Sequence, residues 1–127
     1  MAITRQHFMV GDIKAAAPGP VISQVVTHND TVYLAGIVTL PPNPDDDVRT
    51  QTRKVLQRID ELLASEGTDK SKILSAQVWL ADMDTFAEHN EIWNEWVDPD
   101  NPPVRVCVEA RLAHPDFLVE IQVTAAR

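Results

Sequence analysis

Apolar and polar positions alternate in several short stretches of the chain and recur at helical spacing in two longer ones. "VISQVVT" (Val21 to Thr27) and "TVYLAGIVT" (Thr31 to Thr39) predict two strands joined by a hairpin turn at His28-Asn29-Asp30. "AAAPGP" ahead of them reads as an irregular approach, and "LPPNPDDD" after them is a turn-rich connection whose prolines exclude regular structure. From Val48 onward, Val55, Leu56, Ile59, Leu62 and Leu63 form one stripe, so this segment predicts a helix. Asp45, Asp46 and Asp47 stand where a helix N-terminus favours negative charge, which makes capping the simpler reading of the run than metal binding. Gly67 suits the C-cap.

"ILSAQVWLA" (Ile73 to Ala81) predicts a third strand. A second helix starts near Asp84 or Thr85, where Thr85-Phe86-Ala87-Glu88 fits a capping box. Phe86, Asn90, Trp93 and Val97 share one of its faces, and Pro99 lies beyond its end. Val104 to Leu112 and Phe117 to Ala125 predict a closing hairpin around "AHPD". Matching the apolar faces of that hairpin sets Cys107 against Gln122 and Glu109 against Glu120. Arg105, Cys107, Glu109, Glu120 and Gln122 would then share a polar face.

The order β-β-α-β-α-β-β describes an α+β fold over residues 1–127, with two helices laid on one face of a sheet. The other face would carry Trp79, Tyr33, several valines and Cys107. A half-apolar sheet face of this kind is often covered by another subunit.

Composition narrows the function. The 127 residues are the size of one domain, and the formal charge of −8 opposes a phosphate backbone. The densest basic stretch, "RTQTRKVLQR", reads as a solvated helix face. No apolar run approaches the ~20 residues that cross a bilayer, and no long apolar leader stands at the N-terminus. The single Cys107 has no internal partner, in keeping with a reducing cytoplasm. His7, His28, His89 and His114 show no ligand spacing, so no metal site is expected.

Three residue types remain as chemistry. Cys107 is either a small buried hydrophobe or a nucleophile whose thiol Arg105 acidifies. Arg105 offers a planar fork that suits a carboxylate, either Glu109 or Glu120 in a structural pair or a bound ligand. Glu109 and Glu120, if adjacent, would raise at least one pKa and supply a group that exchanges protons near neutrality; the alternative is two solvated surface glutamates.

The segments "SQVVTHNDTVYLAGIVT", "QTRKVLQRIDELLASEGTDKSKILSAQVWLADMDTFAEHNEIWNEW" and "PPVRVCVEARLAHPDFLVEIQVTAA" together resemble the RidA/YjgF-like reactive-intermediate deaminases, over nearly the whole chain from about Pro20. The most specific pieces are the Pro-x-Arg-x-Cys-Val-Glu run, the Val-Glu-Ile strand and the Asp-Met-x-x-Phe-Ala-x-x-Asn helix start. The resemblance implies a chorismate-mutase-like fold with a mixed sheet, assembled as a homotrimer with sites in clefts between subunits. It implies hydrolysis of imines and enamines, such as 2-iminopropionate and 2-aminoacrylate, to 2-keto acids and ammonia, with no cofactor. Ribonuclease activity is also attributed to this family, but the charge of −8 and the missing basic stripe argue against a nucleic-acid partner, as the lack of a spanning apolar run does against a membrane. A trimer that only binds small carboxylates such as keto acids is the alternative.

Carried over residue by residue, Arg105 grips the substrate carboxylate and Cys107 lines the cleft, mainly through its backbone. Glu120 orients water or shuttles protons, Asn90 is the helix asparagine near the site, and Gly36 lets the ligand approach the backbone. The sequence departs from the pattern at Val21 and Ile22, where the family carries tyrosine after Gly-Pro, and at Ala35, where serine is usual. The pocket thereby loses two hydroxyls, which bears on substrate preference.

Overall fold

The computed structural model describes residues 2–7 and 20–127. Six strands form one sheet: β1 (Ile3–His7), β2 (Ser23–His28), β3 (Thr31–Leu34), β4 (Ile73–Leu80), β5 (Val104–Glu109) and β6 (Val119–Ala126). Two helices, α1 (Val48–Ser65) and α2 (Phe86–Trp96), pack against each other on one face of it. The sheet order is β1-β2-β3-β6-β4-β5, antiparallel throughout except for the parallel pair β4–β5. No helix among the described residues is long and apolar enough to cross a membrane. Apart from Pro20, the "AAAPGP" approach lies outside the described residues.

Local signals set most of these boundaries. His28 pairs with Thr31, so Asn29 and Asp30 make a two-residue turn, and Asn29 takes the positive φ of 55° that such turns require. Asp47 caps α1, its carboxylate accepting from Thr50 N–H at 2.8 Å. At the other end Gly67 (φ 74°) donates to Ala64 O and Thr68 to Leu63 O, the paired closure of a Schellman motif. The expected stripe of α1 is buried, together with Val48, Gln51 and Thr52. Across the sheet it meets Val32, Leu34, Ala76, Val78, Leu80, Val119, Ile121 and Val123.

Four expectations change. β1 is an additional strand at the sheet edge; five mostly polar residues, held by pairing with β2, carry too weak an alternation to announce it. The Thr31–Thr39 strand is regular only to Leu34; beyond it Ile37 still bridges to Ile121 of β6, one residue out of register with the Thr31–Tyr33 pairs. The capping box at Thr85 does not form: Thr85 is not extended, and its hydroxyl donates back to Asp82 O at 2.6 Å. Asp82 instead caps the short 3-10 turn Met83–Thr85 through Asp84 N–H at 2.9 Å.

The largest change is the closing hairpin, which does not exist. β5 joins β4 in parallel through α2, a β-α-β crossover, and β6 runs between β3 and β4. Nine residues, 110–118, separate β5 from β6, far more than a tight turn needs. Burial accounts for the choice. The central position takes β6, whose Val119, Ile121, Val123 and Ala125 are at most 1% exposed, while charged β5 takes the edge.

Candidate functional site

Residues paired across strands point to the same face. Arg105, Cys107 and Glu109 are level with Ala76, Val78 and Leu80 on the helix side. Glu120 and Gln122 are level with Trp79 and Gln77 on the open side. The single polar face expected for all five residues is therefore split between the two sides of the sheet. Val104, Val106 and Val108 point away from the helices and are 71%, 58% and 42% exposed.

On the helix side α2 provides the surroundings of Arg105. Its Nη2 donates to Asn90 Oδ1 at 2.9 Å, and its Nη1 lies 3.5 Å from His89 Nε2. The guanidinium carbon sits 5.0 Å from the Trp93 ring centroid and 5.9 Å from that of Phe86, within cation–π range. No carboxylate of the described residues lies within ion-pair distance of it. The structural pairs considered from sequence, Arg105 with Glu109 or Glu120, are absent. Glu109 is engaged elsewhere, accepting from Met83 N–H at 2.9 Å.

Cys107 is half-buried against the core. Burial pushes its thiol above the ordinary value, with the Arg105 charge opposing. A thiol made less acidic is a poorer nucleophile. Cys107→Ser is expected to retain most of whatever activity the wild type has; a folded but dead serine variant in the same assay would place the sulfur in covalent chemistry.

On the open side, mutual hydrogen bonds between Ile37 and Ile121 (2.8 and 3.1 Å) set Gly36 beside Glu120. A Cβ at residue 36 would overlap the Glu120 carboxylate oxygen and lie 3.0 Å from its carbon. Glycine here leaves room for that carboxylate. Burial raises the Glu120 pKa, and no described residue stabilises the charged form.

Two strand spacings of roughly 4.8 Å and three residues of roughly 3.3 Å separate the Arg105 and Glu120 Cα atoms, about 14 Å in all. Their side chains leave opposite faces. One chain cannot bring both to one small molecule. No group of three or more His, Cys, Asp or Glu residues converges among the described residues.

His89 is not singled out by ligand spacing, which the four histidines lack. It is fully buried, and burial, with the Arg105 charge adding to it, pushes its pKa from 6.5 down to about 4. The signal available was its position three and four residues before Ile92 and Trp93, on the buried stripe of α2. Between those two pKa values the unfolded chain holds a proton at this residue that the folded chain rejects. Stability is expected to fall as pH drops from about 6.5 to about 4, by about 3 kcal/mol from His89. Glu120, raised in the folded state, acts in the opposite sense above its ordinary value of 4.5. Thermal unfolding across this range should show a shallower acid loss in His89→Phe than in wild type; parallel curves would mean that His89 is not titrating.

A family model described as endoribonuclease L-PSP matches residues 13–127. A RutC family protein of Haemophilus ducreyi is 48% identical over 104 residues, which cover 82% of this chain and 87% of that one. The RutC family protein YoaB of Escherichia coli K12 is 43% identical over 104 residues, covering 82% and 89%. Among solved structures, a YjgF family member from Neisseria meningitidis is similar with a TM-score of 0.84 at 38% identity, over 100% of this chain and 96% of its own. YyfA of Yersinia pestis, of the Rid family, has a TM-score of 0.80 at 30% identity over 99% and 100%. With the match running through both helices and the β5 and β6 strands that carry Arg105 and Glu120, the chain belongs to the endoribonuclease L-PSP family, the YjgF/Rid group that includes the RutC family proteins.

Proposed function

We propose that this protein is a homotrimeric, cofactor-independent deaminase that hydrolyses imines and enamines of the 2-iminopropionate/2-aminoacrylate type to 2-keto acids and ammonia. The observation that carries the reading is Arg105: a half-buried cation whose described polar partners are neutral. Such a group favours an incoming carboxylate, which would complete the pair the fold withholds. Asn90 and His89 take one edge contact each, and the guanidinium hydrogens they do not engage remain for the substrate.

The split between faces gives the assembly its reason. If Arg105 and Glu120 serve one substrate, different subunits supply them. Val104, Val106 and Val108, with Tyr33 at 44% exposure, offer an apolar surface for such contacts. Sedimentation at micromolar concentration is expected to give a trimer, and Val106→Glu to dissociate it; a wild-type monomer would remove the shared site.

In the reaction, Arg105 holds the carboxylate so that the C=N carbon meets a water beside Glu120. Water adds to the carbon of the protonated imine as one of its protons passes to the Glu120 carboxylate, forming a neutral carbinolamine. Glu120 returns that proton to nitrogen and takes up the carbinolamine hydroxyl proton as the C–N bond breaks, so that ammonia leaves and the carbonyl forms. Burial suits Glu120 to this exchange, since a raised pKa brings proton affinity closer to neutrality. Cys107 contributes backbone to the cleft wall.

The family model's description names an endoribonuclease, but charge argues against that reading here. Each cation of the basic stretch on α1 has a carboxylate partner: Arg49 with Glu91 (3.0 Å), Arg53 with Glu95 (4.0 Å), Lys54 with Asp46 (2.6 Å) and Arg58 with Glu61 (3.3 Å). Together with the net charge of −8, this leaves no basic track for a phosphate backbone along that helix. A non-catalytic carboxylate binder is the second reading, because Arg105 would bind a keto acid whether or not chemistry follows. The deciding assay generates imines from several amino acids and follows keto-acid release with and without the protein. Acceleration supports the deaminase; identical rates for every imine, with keto-acid binding intact, would leave the binder.

A further inference from the structure

Beneath Arg105 lies a polar contact between the two helices that the proposed reaction does not use. His89, fully buried on α2, meets Thr52, also fully buried on α1, with 3.1 Å between Nδ1 and Oγ1. Its other ring nitrogen, Nε2, faces Arg105 Nη1 at 3.5 Å. Guanidinium nitrogens only donate, so this contact is favourable only if Nε2 carries a lone pair. The proton of a neutral imidazole then sits on Nδ1 and is donated to the threonine oxygen. The other tautomer would turn one N–H against another.

We propose that His89 is a positioning residue for Arg105: Thr52 holds it as the Nδ1-protonated tautomer, and its Nε2 lone pair, with Asn90 Oδ1, sets the plane in which the guanidinium meets an anion. At 3.5 Å the Nε2 contact is long, so its contribution is directional. It places an acceptor opposite Nη1 while Asn90 engages Nη2 and the Trp93 ring lies alongside. The choice of histidine has a physical basis. A carboxylate in its place would neutralise Arg105 and compete with the ligand, and an apolar side chain would leave the buried Thr52 hydroxyl without this partner. Burial keeps the ring uncharged down to about pH 4, so the lone pair stays available near neutrality.

The anion-binding part rests on the reading of Arg105 given above, and the test separates the two. Long-range proton–nitrogen NMR on the full chain at pH 7 should show His89 protonated at Nδ1 and unprotonated at Nε2. In the same sample Arg105 should give two resolved Nη signals, the mark of hindered guanidinium rotation. His89→Phe should average those signals and weaken pyruvate binding about tenfold in calorimetry. His89→Gln, which restores an acceptor near the Nε2 position, should recover most of both. Thr52→Val, which preserves side-chain shape, should raise the population of the Nε2-protonated tautomer and keeps the test open if a His89 variant fails to fold. A wild-type His89 protonated at Nε2, or Arg105 signals unchanged in His89→Phe, would overturn the proposal. Failure of wild type to bind pyruvate would count against carboxylate recognition by Arg105, while the tautomer and the Arg105 signals still decide the role of His89.

Discussion

Replacing Glu120 with glutamine is expected to cut imine turnover by about 10²-fold or more while leaving keto-acid binding within a few-fold. The side chain keeps its shape beside Gly36, where there is room for either head group. What disappears is a carboxyl whose burial raises its proton affinity and which no described residue engages. A binder without a chemical step would lose little in either measurement. Calorimetry with a 2-keto acid, run beside the coupled assay on one preparation, distinguishes the two. Equal turnover in wild type and Glu120→Gln would remove Glu120 from the mechanism.

Arg105→Ala is expected to abolish deamination of carboxylate-bearing imines without unfolding the protein. A hydrogen bond to a charged group contributes roughly 1.5–3 kcal/mol. Losing the second prong and the alignment of the reacting carbon adds to that. The fold should survive, since no described carboxylate depends on this cation and β5 lies at the sheet edge. Arg105→Lys should rescue poorly, because an ammonium cannot reproduce the planar fork held by Asn90 and His89. Both variants are read as keto-acid release, with circular dichroism as the folding control. Undiminished turnover in the alanine variant would place carboxylate recognition elsewhere.

The candidate site was legible in proportion to how local its signals are. Arg105, Cys107 and Glu109 were marked by alternation along one strand, and that alternation is real: the three do share a face. Alternation does not say which face turns inward. An apolar row of valines normally turns toward the helices, yet here the charged row does, because α2 supplies Asn90, His89, Trp93 and Phe86 to receive the guanidinium. The valines are left exposed. Asn90 could be singled out as the polar member of a helical row. His89 shares its helix but is defined by Thr52, 37 residues earlier, and by Arg105, 16 residues later, so neither contact has a local signature.

By itself the sequence determined the elements from β2 onward, the stripe of α1, the acidic run that caps it and its Gly67 closure, and the alternating faces of β5 and β6. Those follow from periodicity and from backbone chemistry within a few residues. Only the tertiary structure decided which strands pair, because hydrogen-bonding backbone is identical along every strand and partner choice rests on how much apolar surface each position buries. That choice put β4 between β5 and β6, sent Arg105 and Glu120 to opposite sides of the sheet, and brought a buried histidine beneath the arginine.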